Sequence, residues 1–408
     1  MPTATGSPSD IAPELEPAHQ AVIRATLPLI GTRIDTITPL FYRKMFAAHP
    51  ELGRDLFNRG NQAQGTQQRA LASSIVTFAR HLVEPELPHP VDLLSRIGHR
   101  HASLGVTADQ YDIVHRHLFA AIVEVLGADV VTEAVAAAWD RVYWLMATAL
   151  IDLEAGLYDV AGVAPGDVFR RTVVVDRTED PSGVVTFVVE SDEPGRALPD
   201  FLPGSYISVG ADLPDGARQL RQYSLIDAPG TGRYAFTVRM VAAEPDAPAG
   251  EVSSWLHDTI GVGDRLEITL PFGDLTLDTA VETPVVLISA GVGITPIAGI
   301  LAYLAANTPD RPATVLHADR SAAAHPLRER VRALCDGLRN VRLHTWYQDE
   351  GHGRVDLTDI VLPDDADYYL CGSHAFLRSV RAQLLAARIP SSRVHFESFA
   401  PTDWLLGE

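Results

Sequence analysis

The chain has 408 residues, 46% hydrophobic and 21% charged, which is the composition of a globular protein with room for about two or three domains. Its formal net charge of −19 argues against a nucleic-acid surface and against attraction to an anionic membrane. The two cysteines, Cys335 and Cys371, form neither a CxxC pair nor a disulfide framework, and the N-terminus lacks a signal-peptide pattern. We therefore expect a cytoplasmic protein.

The first part of the chain, to about residue 160, has the apolar spacing of helices. Its stripes are Leu71-Ile75-Phe78-Leu82, Val114-Leu118-Ala121-Val125 and Val142-Met146-Ala149-Leu153-Leu157. Thr107 to Gln110 has the pattern of a capping box at the start of the second helix, and Gly127 is placed to end it. These features predict an all-α domain over 17–160, preceded by a disordered tail over 1–16.

Over 166–277, after the break "VAPGDV" (163–168), the pattern becomes that of short β-strands. The candidates, rich in Val, Thr and Tyr, are "RTVVVD", "VVTFVVES", "GSYISVG", "RQYSLI", "YAFTVRMV" and "DRLEITL". Turns rich in Gly, Pro and Asp separate them. This pattern predicts a small antiparallel β-barrel or sandwich.

Over 283–408, apolar strands alternate with helical segments, which indicates an open, mostly parallel α/β sheet. The stretch "SAGVGITP" (289–296) joins a buried strand to a helix. Its glycines allow close approach of a ligand, and a helix start offers free N–H groups to a phosphate, although a tight turn without a ligand would also explain it. Because Gly and Pro interrupt the uncharged run 283–306, we expect a strand, a loop and a helix rather than a membrane span.

The strand "RQYSL" (221–225) makes the evidence for a nucleotide site more specific. Arg221 offers a charge for a phosphate, Tyr223 a ring for stacking, and Ser224 a hydroxyl for a hydrogen bond. An ordinary amphipathic strand is the alternative. With "GEVSSWLH" (250–257), "LCGS" (370–373) and a C-terminal "ESF", this half of the chain resembles the ferredoxin–NADP reductase superfamily. The resemblance implies FAD on the β domain and a nicotinamide cofactor on the α/β domain.

The resemblance also implies positions for the two cofactors. The residues implied to contact FAD are Tyr206, Arg221, Gln222, Tyr223, Ser224, Ser253 and Ser254. Those implied to line the nicotinamide nucleotide site are Gly291, Val292, Gly293, Ile294, Thr295, Pro296, Cys371 and Gly372. The C-terminal pattern contributes Glu397 as a catalytic residue and Phe399 as a cofactor-binding residue.

The helical domain is similar to bacterial globins in "TPLFYRKMFAAHPELGRDLFN" (38–58), "QQRAL" (67–71), "GHRHASLGV" (98–106) and "ADQYDIVHRHL" (108–118). With the reductase part attached, residues 17–401 resemble the flavohaemoglobins, the nitric oxide dioxygenases. A b-type haem needs a strong axial imidazole. The resemblance selects His101 as the iron ligand, because "RHAS" precedes "DQY" by the family's gap, and leaves His99, His115 and His117 as surface or structural residues.

Further haem-side residues follow from the same resemblance. Tyr111 and Glu154 are implied to hydrogen-bond the proximal histidine, and Tyr42 is implied to contact bound oxygen. The residues implied to border the haem and its ligand pocket are Phe57, Gln67 and Leu71. Taken without the resemblance, Glu154 would be expected to face solvent, His101 to be structural, and Tyr42 and Phe57 to be aromatic core.

The chain departs from the family pattern at three positions. Arg100 stands where Lys is common, before the proximal histidine, and it is kept among the catalytic candidates. At the C-terminus, "ESFAP" carries Ser398 and Ala400 in place of the usual residues. The effect of these changes on the geometry of flavin and nicotinamide is left open.

The sequence therefore predicts a nitric oxide dioxygenase that converts NO and O₂ to nitrate, with electrons passing from NAD(P)H through FAD to haem. Two alternatives stay open: a gas-binding haem sensor with a resetting reductase, and a flavin reductase for an external acceptor. The expected partners are small molecules, with no nucleic acid, no stable membrane insertion, and a monomer or, alternatively, a dimer. The choice between NADH and NADPH is open, and Arg320 in "HADRS" (317–321) is a candidate contact to a 2′-phosphate.

Overall fold

The computed structural model describes residues 14–399, apart from 64, 88, 244, 246–247 and 352. Contacts divide the chain into two compact units. The first holds residues up to 53 together with 61–167, and the second holds 54–60 together with the chain from 168. Of the predicted N-terminal tail (1–16), residues 1–13 lie outside the described residues.

The first unit is helical, as the sequence predicts. The helices in this part of the chain are α1 (Pro17–Ala48), α2 (Arg59–Ala63), α3 (Thr66–Val83), α4 (Ser95–Ala102), α5 (Ala108–Leu126) and α6 (Glu133–Ala161). A π-helical turn (Leu52–Leu56) precedes α2, and a 3₁₀ turn (Pro90–Leu93) precedes α4. The predicted capping box is present at the start of α5, where the Thr107 N–H donates to Gln110 Oε1 at 3.2 Å.

A glycine allows α4 to lie close to α6. A Cβ atom added to Gly98 would lie 2.4 Å from Cδ2 of Leu153, so a larger residue would push the two helices apart. The proximal histidine candidate is on α4, and the residue after Leu153 is Glu154. The helix packing therefore sets the distance between these two side chains.

In the second unit, six antiparallel strands form one sheet. They are β1 (Phe169–Glu179), β2 (Val184–Ser191), β3 (Tyr206–Asp212), β4 (Arg218–Ser224), β5 (Arg233–Arg239) and β6 (Arg265–Thr269), in the order β4-β3-β6-β1-β2-β5. All six match predicted strands. The edge strands approach each other at one bridge between Leu225 and Phe236, but over the described residues the ladder does not close into a barrel. A helix, α7 (Glu251–Thr259), follows β5.

The rest of the second unit is a parallel sheet with helices on its faces. Its strands are β7 (Val285–Ala290), β8 (Ala313–Asp319), β9 (Val341–Tyr347), β10 (Asp367–Gly372) and β11 (Val394–Ser398). Its helices are α8 (Ile294–Asn307), α9 (Arg328–Asp336) and α10 (His374–Ala386). The strand order β11-β10-β7-β8-β9 changes direction between β7 and β10. Open α/β sheets bind their ligands at this kind of switch point, beyond the carboxyl ends of the strands.

Within the described part of the chain, no helix is both long and apolar enough to cross a membrane. Thr283 to Ala306 forms the predicted strand β7, a glycine turn and helix α8, whose residues are mostly buried. Cys335 and Cys371 are both buried, and neither forms a disulfide.

Candidate functional site

Three residues from three helices form the centre of the candidate haem site. His101 on α4, Tyr111 on α5 and Glu154 on α6 share hydrogen bonds. The Nδ1 atom of His101 lies 2.8 Å from Oε1 of Glu154 and 2.9 Å from the Tyr111 hydroxyl. The same hydroxyl donates to Oε1 of Glu154 at 2.5 Å. The structure therefore brings together the three residues that the resemblance links.

Burial determines where the protons of this network lie. Glu154 is only 2% exposed, which excludes the alternative in which it faces solvent. Burial, together with the nearby charge of Glu154, raises the pKa of Tyr111, so its hydroxyl keeps the proton that it donates. With a carboxyl oxygen as acceptor, Nδ1 of His101 carries the ring proton, and Nε2 is left with a lone pair.

The open nitrogen of His101 fits a metal ligand. The described residues offer Nε2 no hydrogen bond, and the side chain is 32% exposed. An imidazole that donates one N–H to a carboxyl and presents its other nitrogen has the arrangement that metal-binding histidines adopt. The residues present therefore fit a haem iron at Nε2.

Two tyrosines that the sequence analysis missed support this network. The Tyr143 hydroxyl donates to the backbone carbonyl of Tyr111 at 2.6 Å, and the Tyr158 hydroxyl donates to that of Val106 at 2.7 Å. Tyr158 lies four residues after Glu154 and so on the same face of α6. That helical spacing is the signal that would have found it.

On the distal side, Tyr42 is a buried residue of α1, and Gln67 and Leu71 lie on α3. Burial raises the pKa of Tyr42, partly offset by a hydrogen bond with Gln62, so the tyrosine stays a hydroxyl donor. The buried Oε1 of Gln67 has no hydrogen-bond partner among the residues that the structure describes. An uncompensated polar atom of this kind is expected where a polar ligand is missing, which again fits a haem pocket.

A second amide joins this distal set without having been predicted. Gln68 Nε2 donates to Oε1 of Gln62 at 2.9 Å, so the side chain that contacts Tyr42 is itself held by α3. Of the two neighbouring glutamines, only Gln67 was predicted, because the resemblance implies a role for that position and none for Gln68.

Other predicted haem-side residues are placed as follows. Phe57 belongs to the segment 54–60 of the second unit, where its carbonyl accepts from Nε2 of Gln219 at 3.2 Å. Arg100 is half-buried on α4, and its carbonyl accepts from the Ser103 hydroxyl at 2.8 Å. The roles predicted for both side chains stay predictions.

The remaining histidines of this region have surroundings that suit structural positions. His115 pairs with Asp140 at 2.7 Å and packs on the ring of Phe119. His117 packs edge-on against His49, and His99 is half-buried on α4.

The candidate FAD residues lie on β3 and β4. Ser224 is buried at the end of β4, opposite Tyr206, and its Oγ has no partner among the described residues. The guanidinium of Arg221 bonds to Oδ1 of Asn58 at 2.9 Å, and Gln222 Nε2 donates to Ser208 Oγ at 3.1 Å. Burial raises the pKa of Tyr223, so that its ring stays neutral. An unsatisfied hydroxyl beside a guanidinium and two tyrosine rings fits the polar and aromatic parts of a flavin nucleotide.

The two serines predicted at the FAD pyrophosphate differ in their surroundings. The Ser253 hydroxyl accepts from the Val241 N–H and donates to the Gly250 carbonyl, both at 3.1 Å, so it already holds the loop before α7. Ser254 is half-buried one residue further on. Of the two, Ser254 is therefore the better candidate for a contact with a ligand.

A cavity of about 670 Å³ lies at the switch point of the parallel sheet. Residues at the ends of β7, β8, β10 and β11 line it, among them Gly291, Asp319, Gly372 and Phe399. Helices α8 and α10 begin beside these strand ends, and free N–H groups at helix starts favour phosphate. The position and size fit a nucleotide.

The predicted nucleotide residues divide between the cavity and the core. Those that line the cavity are Gly291, Val292, Gly293 and Gly372, while Ile294, Thr295, Pro296 and Cys371 are buried behind it. A Cβ atom on Gly293 would lie 2.3 Å from the carbonyl oxygen of Cys371. Gly293 is therefore required for the close approach of this turn to β10. The sequence predicts only a nucleotide contact for this glycine, not this structural role.

Several cavity residues were not predicted. Arg239 at the end of β5, Arg354 and Ser373 all line the cavity. Arg239 is the last residue of β5, which belongs to the antiparallel sheet. Sequence spacing gives no sign that the end of this strand reaches the cavity.

The C-terminal pattern also lies here. Glu397 is buried on β11, Ser398 lines the cavity, and Phe399 lines it with an exposed ring. Ala400, the third departure from the family pattern, lies outside the described residues.

Comparisons with known proteins agree with this architecture. A family model described as Globin matches residues 40–150, and one described as Oxidoreductase NAD-binding domain matches 287–382. A flavohemoprotein from Bordetella parapertussis is 39% identical over 94% of this chain and 98% of its own length. One from Rhizobium meliloti is 38% identical over 93% of this chain and 97% of its own length.

Solved structures give the same result. The flavohemoglobin from Malassezia yamatoensis with bound FAD and heme superposes with a TM-score of 0.85, at 36% identity, over 95% of this chain and all of that one. The flavohem-like FAD/NAD binding domain of nitric oxide dioxygenase from Vibrio cholerae has a TM-score of 0.53 at 34% identity, over 56% of this chain and 98% of that one. The chain belongs to the flavohaemoprotein family, in which a globin is joined to an NAD-binding oxidoreductase part.

Proposed function

We propose that this chain is a nitric oxide dioxygenase that uses NAD(P)H, FAD and haem to convert NO and O₂ to nitrate. Haem, when bound, supplies the iron at which the gases react, and FAD converts two-electron transfer from the nicotinamide into single-electron steps. The domain matches, the Malassezia yamatoensis flavohemoglobin with bound FAD and heme, and the FAD/NAD binding domain of the Vibrio cholerae nitric oxide dioxygenase support this proposal.

The observation that carries the proposal is the bond between His101 Nδ1 and the buried Glu154, reinforced by the Tyr111 hydroxyl. When a carboxyl oxygen accepts a hydrogen bond from Nδ1, the imidazole becomes a stronger electron donor at Nε2. A strong donor favours activation of oxygen over its reversible storage. Strong electron donation by His101 is what would distinguish the proposed activity from that of a gas carrier or sensor.

The distal residues hold the oxygen ligand in this proposal. The raised pKa of Tyr42 keeps its hydroxyl protonated at all relevant pH values, so that it donates a hydrogen bond to a polar ligand. The buried amide oxygen of Gln67 has no hydrogen-bond partner among the described residues. Gln67, on α3, would therefore add a second polar group to the pocket beside Tyr42 of α1. Leu71, half-buried one turn later, is proposed to give the pocket an apolar wall.

The reductase residues are proposed to bind and orient the two nucleotides. Arg221, Tyr223 and Ser224 would hold FAD on β4, and the cavity at the end of β7 would hold the nicotinamide nucleotide. Glu397 is buried on β11, and Phe399 follows that strand into the cavity lining; the two would position the nicotinamide against the flavin.

The test is consumption of nitric oxide by the purified, haem-loaded and FAD-loaded protein under air with NADH or NADPH. We expect rapid consumption and nitrate as the product, with His101→Ala as the inactive control. Consumption no faster than that of the control would contradict the proposal. Tight oxygen binding with slow turnover would instead favour a sensor, and cytochrome c reduction by a protein without a Soret band would favour a reductase for an external acceptor.

A further inference from the structure

One short piece of the helical part of the chain is built into the second unit. Residues 54–60 belong to that unit, whereas residues 53 and 61 on either side of them belong to the first. The segment includes Phe57, which the resemblance places beside the haem. It is hydrogen-bonded to β4, which carries most of the candidate FAD residues. The roles proposed above do not explain what holds this segment on β4.

Gln219 on β4 holds the backbone of segment 54–60. The residue is only 1% exposed. Its Nε2 donates to the carbonyl of Arg54 at 2.9 Å and to that of Phe57 at 3.2 Å. Its Oε1 accepts from the Arg59 N–H at 3.2 Å and from the Arg221 guanidinium at 3.3 Å. Both donor hydrogens and both acceptor positions of the amide are therefore in use.

This full use of the amide makes Gln219 hard to replace. Removal of one partner of a buried hydrogen bond leaves the opposite group desolvated and unpaired, which costs more than the bond itself contributes. Leucine at this position would leave four such groups, and glutamate would set a carboxylate against two carbonyl oxygens. The contact requires a side chain that donates twice and accepts twice, which an amide supplies.

The same contacts fix a candidate FAD ligand. Arg221 follows Gln219 by two residues on β4, so the two side chains lie on the same face of the strand. The Arg221 guanidinium donates to Oδ1 of Asn58, in the segment, at 2.9 Å and to the carbonyl of Leu220 at 2.8 Å. The segment and the guanidinium therefore hold each other, and Gln219 bonds to both.

Two ion pairs at one end of the segment contribute less. Arg59 pairs with Asp215 at 2.5 Å and with Glu251 at 2.7 Å. The carboxylate side chains are 55% and 42% exposed, so water and salt screen both pairs. The buried amide of Gln219 is therefore the main contact that fixes the segment.

We propose that Gln219 is a positioning residue for electron transfer from FAD to haem, because it fixes the backbone at Phe57 on the strand proposed to hold the flavin. The step is the transfer of one electron from reduced FAD to ferric iron. Its rate depends on the separation and orientation of the two groups, which the protein sets. Gln219 acts through Phe57 and Arg221 and is not assigned a contact with either group.

The first experiment separates the two electron-transfer steps in the holoprotein. Stopped flow without oxygen follows flavin reduction by NADH or NADPH and then haem reduction from the Soret band. We expect Gln219→Leu to slow haem reduction by at least roughly tenfold and flavin reduction by no more than about twofold, since a misplacement of about 1 Å can cost 100-fold in a step that depends on geometry. Gln219→Glu keeps the size and the acceptor oxygens but donates no hydrogen bond, and it should slow haem reduction as well.

Thr172→Val is the matched control for Gln219→Leu. Thr172 is fully buried on β1, and its hydroxyl donates to the carbonyl of Leu266 at 2.8 Å. β3 and β6 lie between β1 and β4 in the same sheet. The change breaks a buried bond from a side chain to the backbone, so it should lower stability without slowing haem reduction. Equal slowing in the two variants would overturn the proposal, because general loss of stability would then explain both.

A second measurement includes the wild-type protein and does not require turnover. Hydrogen exchange followed by mass spectrometry reports how firmly residues 54–60 are held in the holoprotein. We expect these amides to be protected in the wild type and in Thr172→Val, and to exchange at least roughly tenfold faster in Gln219→Leu. Unprotected amides in the wild type, or unchanged exchange in folded Gln219→Leu, would overturn the proposal.

The inference rests on the flavin-to-haem step of the proposed function, and the two can be told apart when they fail. If the flavin of the wild type is reduced but its haem stays ferric, the proposed function is wrong and the role in electron transfer falls with it. Hydrogen exchange would still decide whether Gln219 holds the segment. If the wild type and folded Gln219→Leu reduce haem equally fast, only the positioning role is wrong.

Discussion

Two histidine–carboxyl pairs in this chain use the same groups in opposite ways. His101 bonds to Glu154 at 2.8 Å through Nδ1, and its other nitrogen is open on a ring that is 32% exposed. His317 bonds to a serine through Nδ1, and its Nε2 is separated from Asp319 by 3.7 Å in a ring that is fully buried. The short bond fixes a tautomer and leaves a lone pair for a metal, whereas the ring of His317 is enclosed by protein and has no side open to a ligand.

The comparison also shows what each pair requires of its surroundings. The His101 pair needs helices α4 and α6 to lie close together, which Gly98 permits. The His317 pair needs adjacent parallel strands, since Ser289 on β7 lies opposite His317 on β8 in the register. The haem-side geometry therefore depends on helix packing, while the nucleotide-side geometry follows from strand pairing.

Removal of His101 should have the largest effect. We expect His101→Ala to lose haem, because the change removes the imidazole proposed to hold the iron, while FAD content and flavin reduction by NADH stay as in the wild type. The measurement is the ratio of Soret to flavin absorbance in the purified protein. External imidazole should restore the Soret band.

His99→Ala is the matched control for this substitution, since it removes an imidazole from the same helix two residues away. We expect it to keep its haem. A wild-type Soret band in His101→Ala, or equal losses in both variants, would show that His101 is a structural histidine like His317.

Replacement of Glu154 by glutamine should have the second largest effect. Gln keeps an oxygen acceptor for Nδ1 but removes the anionic character of the carboxyl, so the imidazole donates less electron density. Nitric oxide consumption should fall by about 10–100-fold, the range for groups that orient a metal ligand. The iron–histidine stretching frequency should fall as well, which a purely structural role would not produce.

Asp152→Asn provides the control for Glu154→Gln, because Asp152 is an exposed acid on the same helix. It should change neither the rate nor the frequency. If Glu154→Gln left the stretching frequency unchanged, the bond between His101 and Glu154 would orient the ring without changing its basicity.

Most of the fold followed from the sequence because its signals are local. The six strands of the antiparallel sheet match the predicted runs, the parallel sheet has the predicted alternation of strands and helices, and the capping box at Thr107 begins α5. These signals depend on alternation, helical spacing and turn residues within a few positions. Whether the antiparallel sheet closes into a barrel was not predictable in the same way, since it depends on how far the edge strands β4 and β5 pair with each other, and they share one bridge.

The site was predictable only in part, for a physical reason. Spacing alone left Glu154 as a surface acid, and only the resemblance linked it to His101 across 53 residues. Arg239 and the cluster of Ser289, His317 and His325 carry no local signal, because strand pairing and sheet packing bring them together. The sequence indicates Arg320 as a candidate contact to a 2′-phosphate, but it gives no sign that the side chain of the neighbouring Asp319 is buried, which the structure shows.

His325 should make the second unit sensitive to acid, with a smaller effect. Burial, together with His317 and two arginines of α9, lowers the pKa of His325 to about 2 in the folded protein. Unfolded histidine titrates near 6.5, so the unfolded state binds the proton first and stability is lost as the pH falls below that value. Between pH 7.5 and pH 5 this residue should remove about 2 kcal/mol from the free energy of unfolding.

Denaturant titrations followed by near-ultraviolet circular dichroism at the two pH values give this difference. His325→Gln should reduce it by about the same 2 kcal/mol. His344→Gln, an exposed histidine on β9, should leave the difference unchanged. An unaltered pH dependence in His325→Gln would mean that His325 is protonated in the folded protein, unlike a histidine in a dry cluster.

Tyr111→Phe should have the smallest effect of the four changes. It removes the hydroxyl that lies within hydrogen-bond distance of both His101 and Glu154 but leaves their direct 2.8 Å bond in place. One lost hydrogen bond of about 1 kcal/mol corresponds to a roughly fivefold fall in nitric oxide consumption. The double variant with Glu154→Gln should be no worse than Glu154→Gln alone, because the hydroxyl acts mainly through that carboxyl. If Tyr111→Phe were as damaging as Glu154→Gln, a hydroxyl would hold the ring of His101, as Ser289 holds that of His317, and the contrast between the two histidines would disappear.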